Sequence, residues 1–283
     1  MRNHYNEEVN MTKAMRKLAD KHALIFWILC VLIFVVGYKF ISVGLLGSTP
    51  YEYDVAFFKL SLALLAILMM KTLYQGQFCF HFRKDNFLKA LILQWPALLF
   101  VLANLLSPGS LSENAIVPET LVMVLVANMI TGFYEEVVMR GMLLGHMMEH
   151  WKNDDRKILK SVLTTSILFG LVHLGNLVQA GLISTLFQVC YATIFGLIFA
   201  VAYLRTKNLW ACVLIHGLVD VSGEMYTIYY VPGAEIPSFA GVGLLMILLC
   251  TVICLIVALF EFRKKKRAEI LELWREDMTC SAA

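Results

Sequence analysis

Residues Val117–Met148 read VPETLVMVLVANMITGFYEEVVMRGMLLGHMM. Over this whole run the charged side chains are Glu119, Glu135, Glu136 and Arg140, and three of them fall within six residues of one another. A helix at the surface of a soluble protein carries a polar face along its full length, whereas a helix that is apolar all round is buried or lies in lipid. About 20 apolar residues cross a bilayer, so this stretch is expected to be a membrane span. It is too long for one perpendicular crossing, and is expected to tilt steeply or to run out of the bilayer as helix.

The rest of the chain agrees with that reading. Of 283 residues 59% are hydrophobic and 16% charged, with a mean hydropathy of +0.72. Soluble domains are nearer 45–50% apolar and about 25% charged. A water-soluble domain, a disordered chain and a collagen-like chain are all excluded. Apolar stretches bounded by charge mark eight spans: Ala23–Leu46, Val55–Leu73, Phe87–Leu106, Val117–Met148, Ile158–Leu174, Leu182–Leu204, Leu209–Gly223 and Phe239–Phe262.

The basic residues test this map. Of the 24 Lys and Arg, 21 fall before the first span, after the last, or in alternate connections between. The connections around Pro50, Pro108, Gly175 and Pro232 have none. By the positive-inside rule both termini are cytoplasmic. Arg205 and Lys207 are counted on that side, as is the run Arg263–Arg267, which suits a stop-transfer signal with affinity for anionic headgroups. Lys39 and Lys59 are expected to snorkel from the outer ends of spans one and two. The fold class is therefore all-α: a polytopic membrane bundle of about eight transmembrane helices. Its parts are a cytoplasmic segment 1–22, three peripheral helices in 23–114, a core 115–225, an outer loop and last helix 226–262, and a basic tail 263–283.

The N-terminal segment reads as a retained anchor rather than a signal peptide. The seven cysteines form no C-x-x-C and are expected to be packing residues. Cys280-Ser281-Ala282-Ala283 lacks the aliphatic positions of a prenylation box.

Ionisable groups inside a span are costly and face the bundle interior or a water-filled cavity. Span four carries Glu135, Glu136 and Arg140, span five His173, and span seven His216 and Asp220. At ~1.5 Å per residue, Glu135 and His173 each lie about 20 Å from the inner ends of their helices, and His216 roughly 14 Å. Glu136 and Arg140 are spaced i,i+4 and can pair, as can His216 and Asp220. Glu135 points about 100° away, toward other helices. His146 and His150 are expected at headgroup level.

Two imidazoles and a carboxylate in a dry site suit general acid–base chemistry. Glu135 and His173 would activate a water, and His216 with Asp220 would face the oxyanion or leaving amine. No Ser-His-Asp or Cys-His arrangement is signalled. A zinc ion on Glu135, His173 and His216 is the rival use of the same side chains; the metal-free reading, with no cofactor, is preferred.

At these residues the sequence resembles the CPBP family, the CAAX-prenyl-protease and bacteriocin-processing intramembrane endopeptidases also called Abi. The family pattern is E-E-x-x-x-R, F-x-x-x-H, then H-x-x-x-N. Here it reads Glu135-Glu136 to Arg140, Phe169 to His173, and His216 to Asp220. The resemblance covers residues 115–225. It implies a glutamate-dependent endopeptidase in which Glu135 and His173 activate water, His216 and Asp220 bind the oxyanion, and Glu136 and Arg140 support them. Asp220 departs from the commoner Asn, and an ionised Asp has no hydrogen to donate.

The function expected is an intramembrane endopeptidase acting on a peptide or membrane-anchored protein. Its setting would be a bacterial cytoplasmic membrane, with peptide processing or bacteriocin self-immunity as the role, or the ER membrane of a eukaryote. The expected partners are that substrate and the lipid bilayer, with no nucleic acid; the oligomeric state is left open. The alternative is a non-catalytic scaffold or regulator of a partner membrane protein. A proton-coupled transporter is disfavoured, because no inverted repeat is visible.

Overall fold

In lipid a backbone must satisfy its own hydrogen bonds, and helices do so within one segment. In the computed structural model this requirement is met by helix in nearly all of the described residues. The structure describes residues 13–36, 53–73, 84–105, 118–224 and 242–280, and no strand occurs among them. Lys39, Cys79 and the connections around Pro50, Pro108 and Pro232 lie outside the described residues, as do Ser281, Ala282 and Ala283.

Helix α1 covers 13–21 and α2 Ala23–Val31, which widens into a π-type turn at Leu32–Val36. Then come α3 (Tyr53–Leu73), α4 (Lys84–Leu93) and α5 (Trp95–Leu105). Helix α6 starts at Pro118–Glu136, continues through wide π-type turns at Val137–Leu144 and closes as α-helix over Gly145–His150. Helix α7 (Lys157–Leu171) tightens into a 3-10 turn at Val172–Asn176. The chain ends with α8 (Leu182–Thr206), α9 (Leu209–Gly223), α10 (Val242–Glu261) and α11 (Lys264–Cys280).

Four helices, Tyr53–Lys71, Pro118–His150, Lys157–Asn176 and Leu182–Thr206, are long and apolar enough to cross a membrane, and up to six spans result if each bent pair is one span. The chain is thus an integral membrane protein. Shorter apolar helices, Ala23–Phe34 and Leu209–Gly223, occupy two more of the eight expected segments. Length and composition of the described helices therefore support four to six crossings, against the eight expected.

The third expected span is broken by a bend of 62° between α4 and α5. Pro96 explains it. Proline has no N–H for the carbonyl one turn back, and its ring clashes with that carbonyl. Gln94 N–H bonds to Leu91 instead of Ala90, and the Gln94 side-chain amide donates to the vacated Ala90 carbonyl at 2.8 Å.

The most intimate pairings are α6 with α9 and α7 with α8; α3 packs on α6, and α5 and α10 close the other side. Helices α6 and α9 meet backbone to backbone. A Cβ on Gly132 would stand 2.7 Å from the Gly217 amide nitrogen, and one on Gly217 would stand 2.5 Å from the Met129 sulfur. Small residues allow this approach where lipid supplies no hydrophobic drive for helix association.

Arg205 and Lys207, counted with the basic connection between spans six and seven, are buried beneath α11. Lys207, in left-handed conformation, ends α8, and Asn208 caps α9 by accepting from Ala211 N–H. Trp274 Nε1 donates to the Leu204 carbonyl at 2.7 Å, and Lys207 Nζ donates to the Leu273 carbonyl at 2.7 Å. Arg205 pairs with Glu261 and Glu269.

Gly132→Ala places a methyl against backbone, so it is expected to cost about 1–3 kcal/mol, the usual range for overpacking. Gly217→Ala meets mainly the mobile end of Met129 and should cost less. Thermal unfolding of the purified protein in detergent checks the order; equal melting temperatures would count against the contact.

Candidate active site

Glu136 and Arg140 are 0% and 1% exposed. Arg140 Nη1 donates to Glu136 Oε1 at 2.7 Å, and Nη2 to the Gly196 carbonyl of α8 at 3.3 Å. The guanidinium also lies over the rings of Phe169, at 4.6 Å, and Phe199, at 5.3 Å. A buried cation is tolerable only when such partners surround it.

His216 comes to the same carboxylate from α9. Its Nδ1 donates to Glu136 Oε1 at 2.8 Å, so one carboxylate oxygen joins Arg140 to His216. The other ring nitrogen, Nε2, is 3.7 Å from Glu135 Oε2 and 3.6 Å from Asp220 Oδ2. The His216 ring stacks on Phe199 at 5.4 Å and meets the edge of Phe169 at 5.5 Å. Five of the six expected residues thus form one group of polar contacts.

His173 joins them differently. It sits in the 3-10 turn that ends α7, and its Nδ1 donates to the Phe169 carbonyl at 2.9 Å. In the neutral ring this leaves Nε2 as the basic nitrogen. The Phe169 ring touches both imidazoles, lying 5.3 Å from His173. His173, His216 and Asp220 line one cavity of about 470 Å³, together with Phe169 and Asn128. Its remaining walls are mostly apolar and aromatic. Glu135 is not among the lining residues and meets the cavity through its approach to His216. Among the described residues, no group of three or more His, Cys, Asp or Glu is arranged to hold a metal ion. Zinc on Glu135, His173 and His216 would require those side chains to move.

Polar residues outside these six also take defined places. Lys59 does not snorkel: it is 6% exposed, and its Nζ donates to Thr131 Oγ1 on α6 at 2.7 Å. His146 is buried inside the protein, accepting from Trp27 Nε1 at 2.6 Å and lying 3.1 Å from Asp20 Oδ1. His150 is exposed and stacks on His146. Asn128 was given no role by the motifs, yet lines the cavity with an Nδ2 that donates to Val124. An amide in an otherwise apolar stretch two turns before Glu135 was its signal.

These features define a class, a polytopic membrane protein with a buried carboxylate–imidazole site. Within it, residues 117–222, which hold all six site residues, match the model of the family described as type II CAAX prenyl endopeptidase Rce1-like. The matched stretch is the one that carries the three motifs. The chain is also 30% identical over 140 residues to CAAX prenyl protease 2 of Saccharomyces cerevisiae (strain ATCC 204508 / S288c). That similarity covers 45% of this chain and 44% of the yeast protein, so the chain matches less than half the length of this curated relative. No solved structure matches.

Removing Glu136 strands Arg140 and His216 together. Glu136→Ala is expected to destabilise the fold by about 3–5 kcal/mol, as when one partner of a buried ion pair is deleted. Glu135→Gln should change stability by less than about 1 kcal/mol, as is usual away from such pairs. Thermal melts of the two variants, side by side, check the asymmetry.

Proposed function

We propose that the protein is an intramembrane endopeptidase that cleaves a membrane-anchored protein or peptide by water activated at Glu135 and His173. The observation that carries the reading is the shared cavity, which presents two imidazoles and the carboxylates of Asp220 and Glu224 in mostly apolar surroundings, with Glu135 beside one imidazole. A CAAX-type prenylated protein is the substrate we carry over from the yeast relative's name. Its lipid would suit the apolar walls.

The steps follow from the donors and acceptors. Glu135 takes a proton from the water as the oxygen attacks the scissile carbonyl, and His173 Nε2 holds that water by accepting its second hydrogen. Charge then develops on the carbonyl oxygen. His216, with Nδ1 committed to Glu136, turns Nε2–H toward this oxyanion. Asp220, having no hydrogen to donate when ionised, orients His216 instead. Glu135 returns its proton to the leaving amine as the C–N bond breaks. Glu136 and Arg140 hold His216 in place and touch no reacting atom. No step calls for a metal.

We further place both termini and the basic connections on the cytoplasmic side. The setting is a bacterial cytoplasmic membrane, where peptide processing or bacteriocin self-immunity would use such an activity, or the ER membrane if the source is eukaryotic. Glu135→Ala, His173→Ala and His216→Ala, each shown to fold, are expected to lower peptide cleavage at least about 100-fold, the contribution typical of a positioned acid or base. Chelators should leave the rate unchanged. Full cleavage by all three variants would sink the protease reading and leave a membrane scaffold with a structural polar cluster.

A further inference from the structure

The cavity wall carries side-chain amides that the reaction steps leave unused. Asn128 of α6 and Asn104 of α5 both line it, and Asn104 lies outside the segment 117–222 matched to the family. Asn128 is 8% exposed, and its Nδ2 donates to the Val124 carbonyl at 3.0 Å. In an amide the nitrogen alone can donate to a carbonyl, so Oδ1 is the arm left over. Asn104 is oriented by its partner. Ser222 Oγ donates its single hydrogen to the Val219 carbonyl at 2.8 Å, so it accepts from Asn104 Nδ2, 3.1 Å away. Neither Oδ1 accepts a hydrogen bond from the described residues, and neither is sealed in by its neighbours. Both open on the cavity. Gln188 of the same wall differs, because its Oε1 is taken by Asn176 Nδ2 at 2.8 Å.

The two oxygens lie at one end of the site. Met129 of α6 packs on Gly217 of α9, and Phe133 stacks on Trp210, so these helices run antiparallel. Asn128, before Gly132, and Ser222, after Gly217, are therefore on the same side of the crossing. Asn128 precedes Glu135 by seven residues, which keeps it on nearly the same face of α6. That separation is ~10 Å by helical rise, and an extended peptide covers it in about three residues.

A peptide cleaved within a bilayer must unwind around its scissile bond, and each N–H so released is costly unless the protein accepts from it. A sheet edge would supply acceptors, but no strand occurs among the described residues, and the carbonyls inside a helix are engaged along its own axis. Side-chain oxygens take that part, and a neutral amide does so without adding charge to a mostly apolar cavity. We propose that Asn128 and Asn104 hold the substrate backbone, each Oδ1 accepting from a different peptide N–H. The inference rests on the proteolytic reading for its occupant, an unwound peptide.

The test pairs variants of the full chain in detergent with a backbone ester scan. The probe is a farnesylated peptide ending in a CAAX sequence, with each amide except the scissile one replaced in turn by an ester, which removes one N–H. Two ester positions are expected to lower kcat/KM about tenfold, the loss of one neutral hydrogen bond, mainly through KM. Asn128→Leu should cost the all-amide peptide a similar factor and abolish the penalty of one of those esters, about three residues from the scissile bond. Asn104→Leu should abolish the penalty of the other, since a deleted partner leaves nothing further to lose. Ester penalties unchanged in both variants, or absent from the unaltered chain, overturn the proposal. Should a Leu variant fail to fold by its melting temperature, the Ala variant takes its place and is read in the same way. The same peptides, labelled, are titrated onto Glu135→Gln with and without each Asn substitution. If the unaltered chain cleaves nothing, the protease reading fails and these affinities decide: a matched ester and variant uphold backbone holding, while uniform affinities or no binding reject it.

Discussion

One oxygen atom, Oε1 of Glu136, accepts from both Arg140 and His216. Both neighbours are costly to bury, and each would be left without its main anionic partner if that carboxylate moved. Arg140 in turn reaches the Gly196 carbonyl and two aromatic rings, so α6, α7 and α8 are all tied to the same point. His216 brings in α9. The polar cluster therefore sets how four helices sit relative to one another, and the apolar side chains fill in around that arrangement.

The cluster works because the backbones come close enough. Gly132 and Gly217 let α6 and α9 touch, and this contact sets the register that carries His216 opposite Glu136. Phe169 adds a rigid spacer between the two imidazoles. Groups with reactive potential are thus held by groups without any, an arrangement that keeps a site preorganised at little cost in side-chain freedom.

Much of this was legible in the sequence because it depends on composition and helical spacing. Apolar content revealed the membrane class, and the i,i+4 spacing anticipated the Glu136–Arg140 pair and the nearness of His216 to Asp220. The sharing of Glu136 with His216 was hidden, since it depends on how two distant segments approach. Lys59 was hidden by choice of interpretation. It lies 12 residues before Lys71, or ~18 Å by helical rise, close to the depth of Glu135, and depth alone would have placed it in the bundle interior. Pro96 was likewise in plain view, whereas the burial of Arg205 and Lys207 needed α11 to fold back at 66° to α10. Charge counting cannot tell a headgroup contact from an ion pair under a docked helix.

Helix α6 spans Pro118–His150, 33 residues, or ~50 Å of helix against a hydrocarbon thickness of about 30 Å. Its last turns hold the buried His146, bonded to Trp27 of α2 and set against Asp20 of α1. Its middle turns hold the two glutamates. A single rod therefore joins an anchor near one membrane surface to the polar centre, with wide turns between them. Any tilt that a thinner or thicker bilayer imposes on the rod swings the carboxylates through the same angle, which mechanically couples the site to the lipid around it.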